Sequence, residues 1–108
     1  MRSFATVAMQ VPNEEYHIER VIKGDTNAFA LLVEYYKDLI FTICFRITKN
    51  AEDAEECAQD TFLKAFKNLS TFRQEAKFST WLFRIAYNTA ISKQRKLKVD
   101  HQIGRAHV

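Results

Sequence analysis

The chain has 108 residues, a formal net charge of +3 and a hydrophobic fraction of 47%. This length allows one small domain with a single modest core, and the hydrophobic fraction excludes a disordered chain. With only two glycines and one proline, the chain is expected to be almost wholly helical. The apolar runs are shorter than the roughly 18 residues that span a bilayer. We therefore expect a cytoplasmic protein without membrane insertion.

The cysteines and histidines give no sign of a metal or cofactor site. Cys44 and Cys57 both fall on apolar helical faces, which is typical of small core residues in a reducing compartment. The histidines, His17, His101 and His107, are too scattered to complete a zinc site with them. We therefore predict no metal and no cofactor.

The first half of the chain is predicted to form a structural scaffold. Residues 1–13 are expected to form a flexible N-terminus, and a first helix is expected over about residues 14–23, ended by Gly24. Asp25 or Thr26 should cap a second helix over about residues 27–49, which Asn50 ends. The apolar stripe of this second helix is Phe29, Leu32, Val33, Tyr36, Ile40, Ile43, Cys44 and Ile47.

The stretch over residues 53–69 predicts an amphipathic helix with an acidic beginning. Its apolar residues recur at steps of three and four: Ala54, Cys57, Ala58, Phe62, Ala65, Phe66 and Leu69. Acidic side chains in the first turns and lysines in the last turns suit the helix dipole. The polar face around Glu56, Gln59 and Asp60 is either a solvated surface or a surface for a basic protein partner. With no histidine paired to these carboxylates, an enzyme site is not expected.

Residues 78–98 predict a basic helix. Ser79 or Thr80 can cap it, and its buried stripe is expected to be Leu82, Ile85, Ala86, Thr89 and Leu97, with Trp81 near the entrance. Its charged residues are all positive before Asp100: Arg84, Lys93, Arg95, Lys96 and Lys98. A helix with charges of one sign suggests a polyanion, and nucleic acid is the commonest one. The polar loop over residues 70–77 joins this helix to the acidic one.

Trp81 and Asn88 each have two open interpretations. A tryptophan in a small helical domain is more often core than contact, yet an exposed ring could stack on an unpaired base. A carboxamide on a basic helix can be a plain surface group, yet its donors and acceptor suit the edge of a base.

Several of these segments together resemble a known family. They are Val21-Ile-Lys-Gly-Asp25, Ala28-Phe-x-x-Leu-Val33 with Tyr36, Asp53-Ala-Glu-Glu-x-x-Gln-x-x-Phe62, Phe72, and Phe78-x-Thr-Trp-Leu-x-Arg-Ile-Ala-x-Asn88. The pattern covers about residues 14 to 96 and resembles region 2 of bacterial RNA polymerase sigma factors of the extracytoplasmic-function (ECF) group. The resemblance implies an all-α fold, a small bundle of about four helices of the sigma region 2 type over residues 14–98.

The resemblance also implies two partners and their sites. Core RNA polymerase would dock through the coiled coil of its β′ subunit on Asp53, Glu56, Gln59, Asp60, Leu63 and Lys67. Promoter DNA, as the non-template strand of the minus-ten element, would be recognised and melted by Phe72, Arg73, Lys77, Phe78, Thr80, Trp81, Arg84, Asn88, Lys93 and Arg95. In the family, an asparagine matching Asn88 and the preceding loop hold a flipped base, while Lys93 and Arg95 would meet phosphates. An anti-sigma factor is a further expected partner.

The sequence leaves two other classes of function open. A general helical nucleic-acid-binding module would use the basic helix without needing a polymerase. An interaction domain, such as a decoy for an anti-sigma factor, would bind protein and not DNA.

The last ten residues, 99–108, are expected to be a loose tail outside the domain. The segment Ile103-Gly-Arg-Ala-His-Val108 can be encoded by ATC GGA AGA GCA CAC GTC, which resembles a widely used sequencing-library adapter. We interpret it as read-through into adapter sequence. A natural short tail is the alternative. The second helical domain of such sigma factors, region 4, is absent from the sequence given.

Overall fold

The protein forms a bundle of helices in a computed structural model. The structure describes the backbone of residues 12–72 and 76–107 and the side chains of residues 12–72 and 76–97. Its helices are α1 (Glu14–Ile22), α2 (Thr26–Thr48), α3 (Ala51–Asn68) and α4 (Phe78–His107), and a 3-10 turn (Leu69–Thr71) follows α3. The predicted all-α bundle of about four helices is confirmed.

Local signals set the boundaries between the first three helices. Gly24 lies after α1 with φ 110°, a conformation that side chains other than glycine rarely adopt. Asp25 caps α2 by accepting a hydrogen bond from the Asn27 N–H at 3.1 Å. Asn50 accepts from the Asp53 N–H at 2.9 Å, so α3 begins earlier than the acidic run alone predicted. The predicted positions of these helices are therefore confirmed within a few residues.

The central helix is α2, which packs against α1, α3 and α4. Its fully buried side chains Leu32, Tyr36, Ile40 and Cys44 follow one another at steps of four, the spacing that keeps a stripe on one helical face. Helices α3 and α4 also pack on each other. The remaining members of the buried core are Ile18, Val21, Ala28, Ala54, Cys57, Ala65, Leu69, Phe72, Phe78, Leu82, Ala86 and Ala90.

Some predicted stripe residues lie elsewhere than expected. Leu97 is 42% exposed and Phe66 is 40% exposed, so neither is a core residue. Thr61 is fully buried instead, and its hydroxyl donates a hydrogen bond to the Cys57 carbonyl at 2.8 Å. Because that bond satisfies the hydroxyl within its own helix, a polar residue can occupy a core position there.

The beginning of α4 also differs from the prediction. The helix starts at Phe78, so Ser79 and Thr80 lie inside its first turn and neither one is the cap. The Trp81 N–H bonds to the Lys77 carbonyl at 3.1 Å, which places Lys77 at the cap position. Ser79 is buried, since the register that buries Phe78 and Leu82 also turns Ser79 inward.

The end of α4 is helical where a loose tail was expected. Its backbone stays helical to His107, whereas the sequence indicated an unstructured segment from residue 99. The segment has no proline, and each added helical residue gains one backbone hydrogen bond, so a single glycine there is tolerated. Residues 1–11 and Val108 lie outside the described residues. The adapter origin of residues 103–108 stays a prediction.

The two cysteines are core residues, as predicted. Cys44 and Cys57 are fully buried, and burial raises the pKa of the Cys44 thiol to about 12. Over the described part of the chain, no group of three or more histidine, cysteine or acidic residues is placed to hold a metal ion. Over the same part, none of the helices combines the length and apolarity needed to cross a membrane.

A partly buried hydrogen bond ties α1 to α2. The Tyr36 hydroxyl donates to Glu14 Oε2 at 2.6 Å. Burial raises the pKa of Glu14, and this outweighs the lowering by the hydrogen bond from Tyr36. The folded protein therefore binds the Glu14 proton more tightly than the unfolded chain does. The contribution of Glu14 to the free energy of unfolding is therefore full at low pH. It is lost as the pH rises through the raised pKa.

A glutamine at position 14 should remove this pH dependence. Glu14→Gln keeps an oxygen that can accept from Tyr36 but carries no charge. Thermal unfolding from about pH 4 to about pH 7 should show the variant gaining stability relative to the unsubstituted protein as the pH rises. Glu19→Gln, on the exposed side of α1, is the control. Parallel curves for Glu14→Gln and the unsubstituted protein would show that Glu14 titrates normally.

Candidate functional site

The outer side of α3 carries an acidic surface, which we define as Glu52, Glu55, Glu56, Gln59 and Asp60. Its first four members, together with Ala51, line an open depression of about 410 Å³ in the first turns of the helix. Leu63 continues this side and is 58% exposed. Carboxylates followed by an exposed leucine suit a partner that presents cations beside an apolar residue.

The packing of α3 explains why these groups point outward. Ala54, Cys57, Thr61 and Ala65 are buried at steps of three and four, so the opposite side of the helix faces solvent. The predicted docking residues Glu56, Gln59, Asp60, Leu63 and Lys67 are exposed, and Asp53 is half-buried beside the cap. The structure therefore brings the predicted set onto neighbouring parts of one helix.

The outer side of α4 carries a basic strip, which we define as Thr80, Arg84, Asn88 and Arg95. All four side chains are exposed, and their spacings of four, four and seven residues keep them on one face. The opposite face packs against the core through Leu82, Ala86 and Ala90, which are fully buried. Trp81 borders the strip and is half-buried. Tyr87, which the sequence reasoning did not single out, is 55% exposed on the same helix.

Lys93 does not belong to the basic strip, although the sequence placed it among the DNA contacts. Its side chain is only 18% exposed and its ammonium pairs with Glu56 of α3, whose side chain is 65% exposed. The pairing raises the pKa of Lys93 and lowers the pKa of Glu56. Lys93 follows Thr89 by four residues and Ala86 by seven, which is the spacing of the buried stripe. In this structure Lys93 therefore makes a contact between helices, and its predicted phosphate contact stays a prediction.

Two further polar contacts fix the orientation of α4. Lys64 Nζ donates to Thr89 Oγ1 at 3.1 Å, which joins α3 to α4. Gln94 Nε2 donates to the Ile47 carbonyl at 3.1 Å, which joins α4 to the last turn of α2. With the Lys93–Glu56 pair, these contacts limit rotation of α4 about its axis. The basic strip therefore keeps one direction relative to the acidic surface.

An aromatic cluster lies where the loop between α3 and α4 begins and ends. The ring centroids of Phe72 lie 5.7 Å from Phe78 and 5.2 Å from Trp81. Phe78 is also 5.7 Å from Trp81 and 5.7 Å from the buried Tyr36 of α2. Such tilted and edge-to-face pairs add to the stability that burial provides. The cluster thus fixes both ends of the loop against the core.

Phe72 and Phe78 were predicted to contact DNA, but the structure buries both rings. They are 8% and 3% exposed, so neither has a free face on which a base could stack. In this structure both residues support the loop from beneath, because their rings pack on each other and Phe78 packs on Tyr36. Their predicted contact with DNA stays a prediction. Sequence alone gave no signal for this packing, since the burial depends on how the two ends of the loop meet and, for Phe78, on a contact with Tyr36 of α2. Lys77 is exposed beside the cluster, and Arg73 lies outside the described residues.

Residues 32–99 match the sequence profile of the family described as Sigma-70 region 2. The chain belongs to this family. It is 45% identical over 86 residues to the ECF RNA polymerase sigma factor SigW of Bacillus subtilis, covering 80% of this chain and 46% of that protein. It is 45% identical over 73 residues to the RNA polymerase sigma-H factor of Pseudomonas aeruginosa, covering 68% of this chain and 38% of that protein. The resemblance to ECF sigma factors is confirmed.

A solved structure supports the same assignment. An NMR structure of an engineered region 2 of sigmaE in complex with GTAAAA superposes with a TM-score of 0.71 and 36% sequence identity. The match covers 89% of this chain and 95% of that one, so the whole sigma region 2 fold is shared. The chain spans less than half the length of the curated relatives it matches.

Proposed function

We propose that this chain acts as the region 2 domain of an ECF sigma factor. It binds core RNA polymerase through the acidic surface and Leu63. It recognises and melts the minus-ten promoter element with the loop and the basic strip. It makes no RNA itself and works in the cytoplasm with the polymerase that does. The observation that carries the proposal is the structural match to a region 2 bound to GTAAAA.

The chemistry of the basic strip supports the DNA half of this proposal. Arg84 and Arg95 supply positive charge for phosphates, and such contacts release counterions and make binding salt-dependent. Asn88 lies between them on the same face and can hydrogen-bond a base edge through its carboxamide. Trp81, half-buried at the border of the strip, offers the free part of its ring to an unstacked base. A single strand, whose base edges and faces are open, suits this set better than a closed duplex.

The acidic surface supports the polymerase half. Its carboxylates and Gln59 complement a basic partner, and electrostatic complementarity of this kind orients two proteins before contact. Leu63 adds the apolar contact that a stable interface needs near its centre. We place the β′ coiled coil of the polymerase on this surface. An anti-sigma factor that covers the same residues would block docking.

A binding experiment with two probes separates this function from its rivals. The 108-residue chain is mixed with core RNA polymerase purified from Bacillus subtilis, the source of SigW, and with a fluorescent single-stranded GTAAAA oligonucleotide. Gel filtration should show the chain moving with the polymerase, and fluorescence anisotropy should show that the complex retains the oligonucleotide. A chain that binds the oligonucleotide but does not bind the polymerase would be a general nucleic-acid-binding module. Binding of neither probe would leave an interaction domain for another protein and would contradict the proposal.

A further inference from the structure

Lys93 of α4 contacts the acidic surface of α3. Its ammonium pairs with Glu56, and the charges of Asp53 and Asp60 also act on it. Lys96, three residues further along α4, adds to the positive charge near Glu56. A cation of the chain itself therefore already occupies part of the surface that would receive the basic groups of the polymerase.

The burial of the two partners is unequal. The Lys93 side chain is 18% exposed, whereas the Glu56 side chain is 65% exposed. The aliphatic stem of Lys93 is therefore covered by the surrounding helices while its ammonium reaches the carboxylate. A stem held in this way loses little conformational freedom when the pair forms. Glu56 itself stays open to solvent, so a partner cation can still reach it.

We propose that Lys93 is an internal competitor that occupies Glu56 until a basic partner displaces it. The proposal rests on the proposed function, because the displacing partner is the basic docking surface of core RNA polymerase. Each docking event then exchanges one ion pair within the chain for one between the two proteins. Docking is consequently weaker than the acidic surface alone would allow, and the chain discriminates against partners with only scattered positive charge.

The size of the effect follows from the exposure of the pair. A partly exposed ion pair shifts an equilibrium by about two- to fivefold, since water and salt screen most of the attraction. Such a pair tunes docking but cannot block it. Removing the ammonium while keeping the stem should therefore strengthen docking by about two- to fivefold at low salt, and less at high salt.

Lys93→Met provides the test, because methionine fills the space of the stem without the charge. Arg95→Met is the matched control, since Arg95 lies two residues away but on the exposed basic strip. Affinity for Bacillus subtilis core polymerase and for single-stranded GTAAAA is measured for both variants, and circular dichroism checks that both are folded. Lys93→Met should bind the polymerase about two- to fivefold more tightly, with unchanged affinity for the oligonucleotide. Arg95→Met should show unchanged polymerase binding and weaker oligonucleotide binding.

The possible results are distinguishable from a failure of the proposed function. If the unsubstituted chain does not bind the polymerase, the proposed function is wrong. If it binds and Lys93→Met binds equally or more weakly, Lys93 is not a competitor. If Lys93→Met loses oligonucleotide affinity as Arg95→Met does, Lys93 is a phosphate contact after all, and the inference is overturned.

Discussion

Replacing Gln59 and Asp60 together with alanine should abolish tight binding of the chain to core RNA polymerase while leaving its fold intact. Both side chains are exposed on the acidic surface, so their removal creates no cavity in the core. Central contacts of protein interfaces cost about 2 kcal/mol or more when truncated, and that loss corresponds to about a 30-fold weaker complex. Titration of labelled chain with core polymerase, together with thermal unfolding, measures both parts of the prediction.

The control for this variant lies on another helix. Glu15→Ala with Glu19→Ala removes two exposed side chains from α1 and should leave polymerase binding unchanged. Equal weakening by both double variants would mean that net charge, and not the acidic surface, determines affinity. Unchanged binding by the Gln59 and Asp60 variant would place the docking face elsewhere.

Asn88→Ala should weaken binding to the preferred single strand by about 1 to 3 kcal/mol. It should also reduce the preference for one base over the others at a single position. The carboxamide is exposed on the basic strip, so the loss reflects a missing hydrogen bond to a base and not a destabilised helix. A competition assay with oligonucleotides that differ at single positions measures the effect, with core polymerase present throughout. Ser92→Ala, which removes another exposed polar group one turn further along α4, should have little effect.

The pattern across the oligonucleotides decides the role of Asn88. Loss of a phosphate contact weakens binding to all sequences alike and lowers its salt dependence, which is the behaviour expected of Arg84→Ala and Arg95→Ala. Loss of a base contact weakens binding to one sequence more than to the others. If Asn88→Ala lowers affinity equally for every oligonucleotide, Asn88 contacts the backbone and the base is read by other residues.

The helices could be predicted because each one follows from neighbours along the chain. The stripe of Leu32, Tyr36, Ile40 and Cys44 repeats with the helical period, and Asp25 and Asn50 are local caps. The outward position of Gln59 and Asp60 follows from the same period, since the residues opposite them are apolar. Periodicity therefore located both the acidic surface and the basic strip.

The sequence did not predict features that depend on contacts between helices. Phe72 and Phe78 lie beside a polar loop, and their rings are covered by each other, by Trp81 and, for Phe78, by Tyr36 of α2. The charge pattern of α4 predicted the same phosphate contact for Lys93 and Arg95. Lys93, however, continues the spacing of the buried residues Ala86 and Thr89. That spacing was present in the sequence and could have placed Lys93 on the inner face. The carboxylate that pairs with it could not have been found, because Glu56 is distant in sequence.

The most direct test of the proposed function is a selection from single-stranded oligonucleotides with six randomised positions. Core RNA polymerase is incubated with this pool in the presence and in the absence of the chain, and the retained strands are sequenced. With the chain present, one short sequence should be strongly enriched, and the Asn88→Ala variant should relax one of its positions. With polymerase alone, no such sequence should appear. Identical pools with and without the chain would contradict the assignment of promoter recognition to this domain.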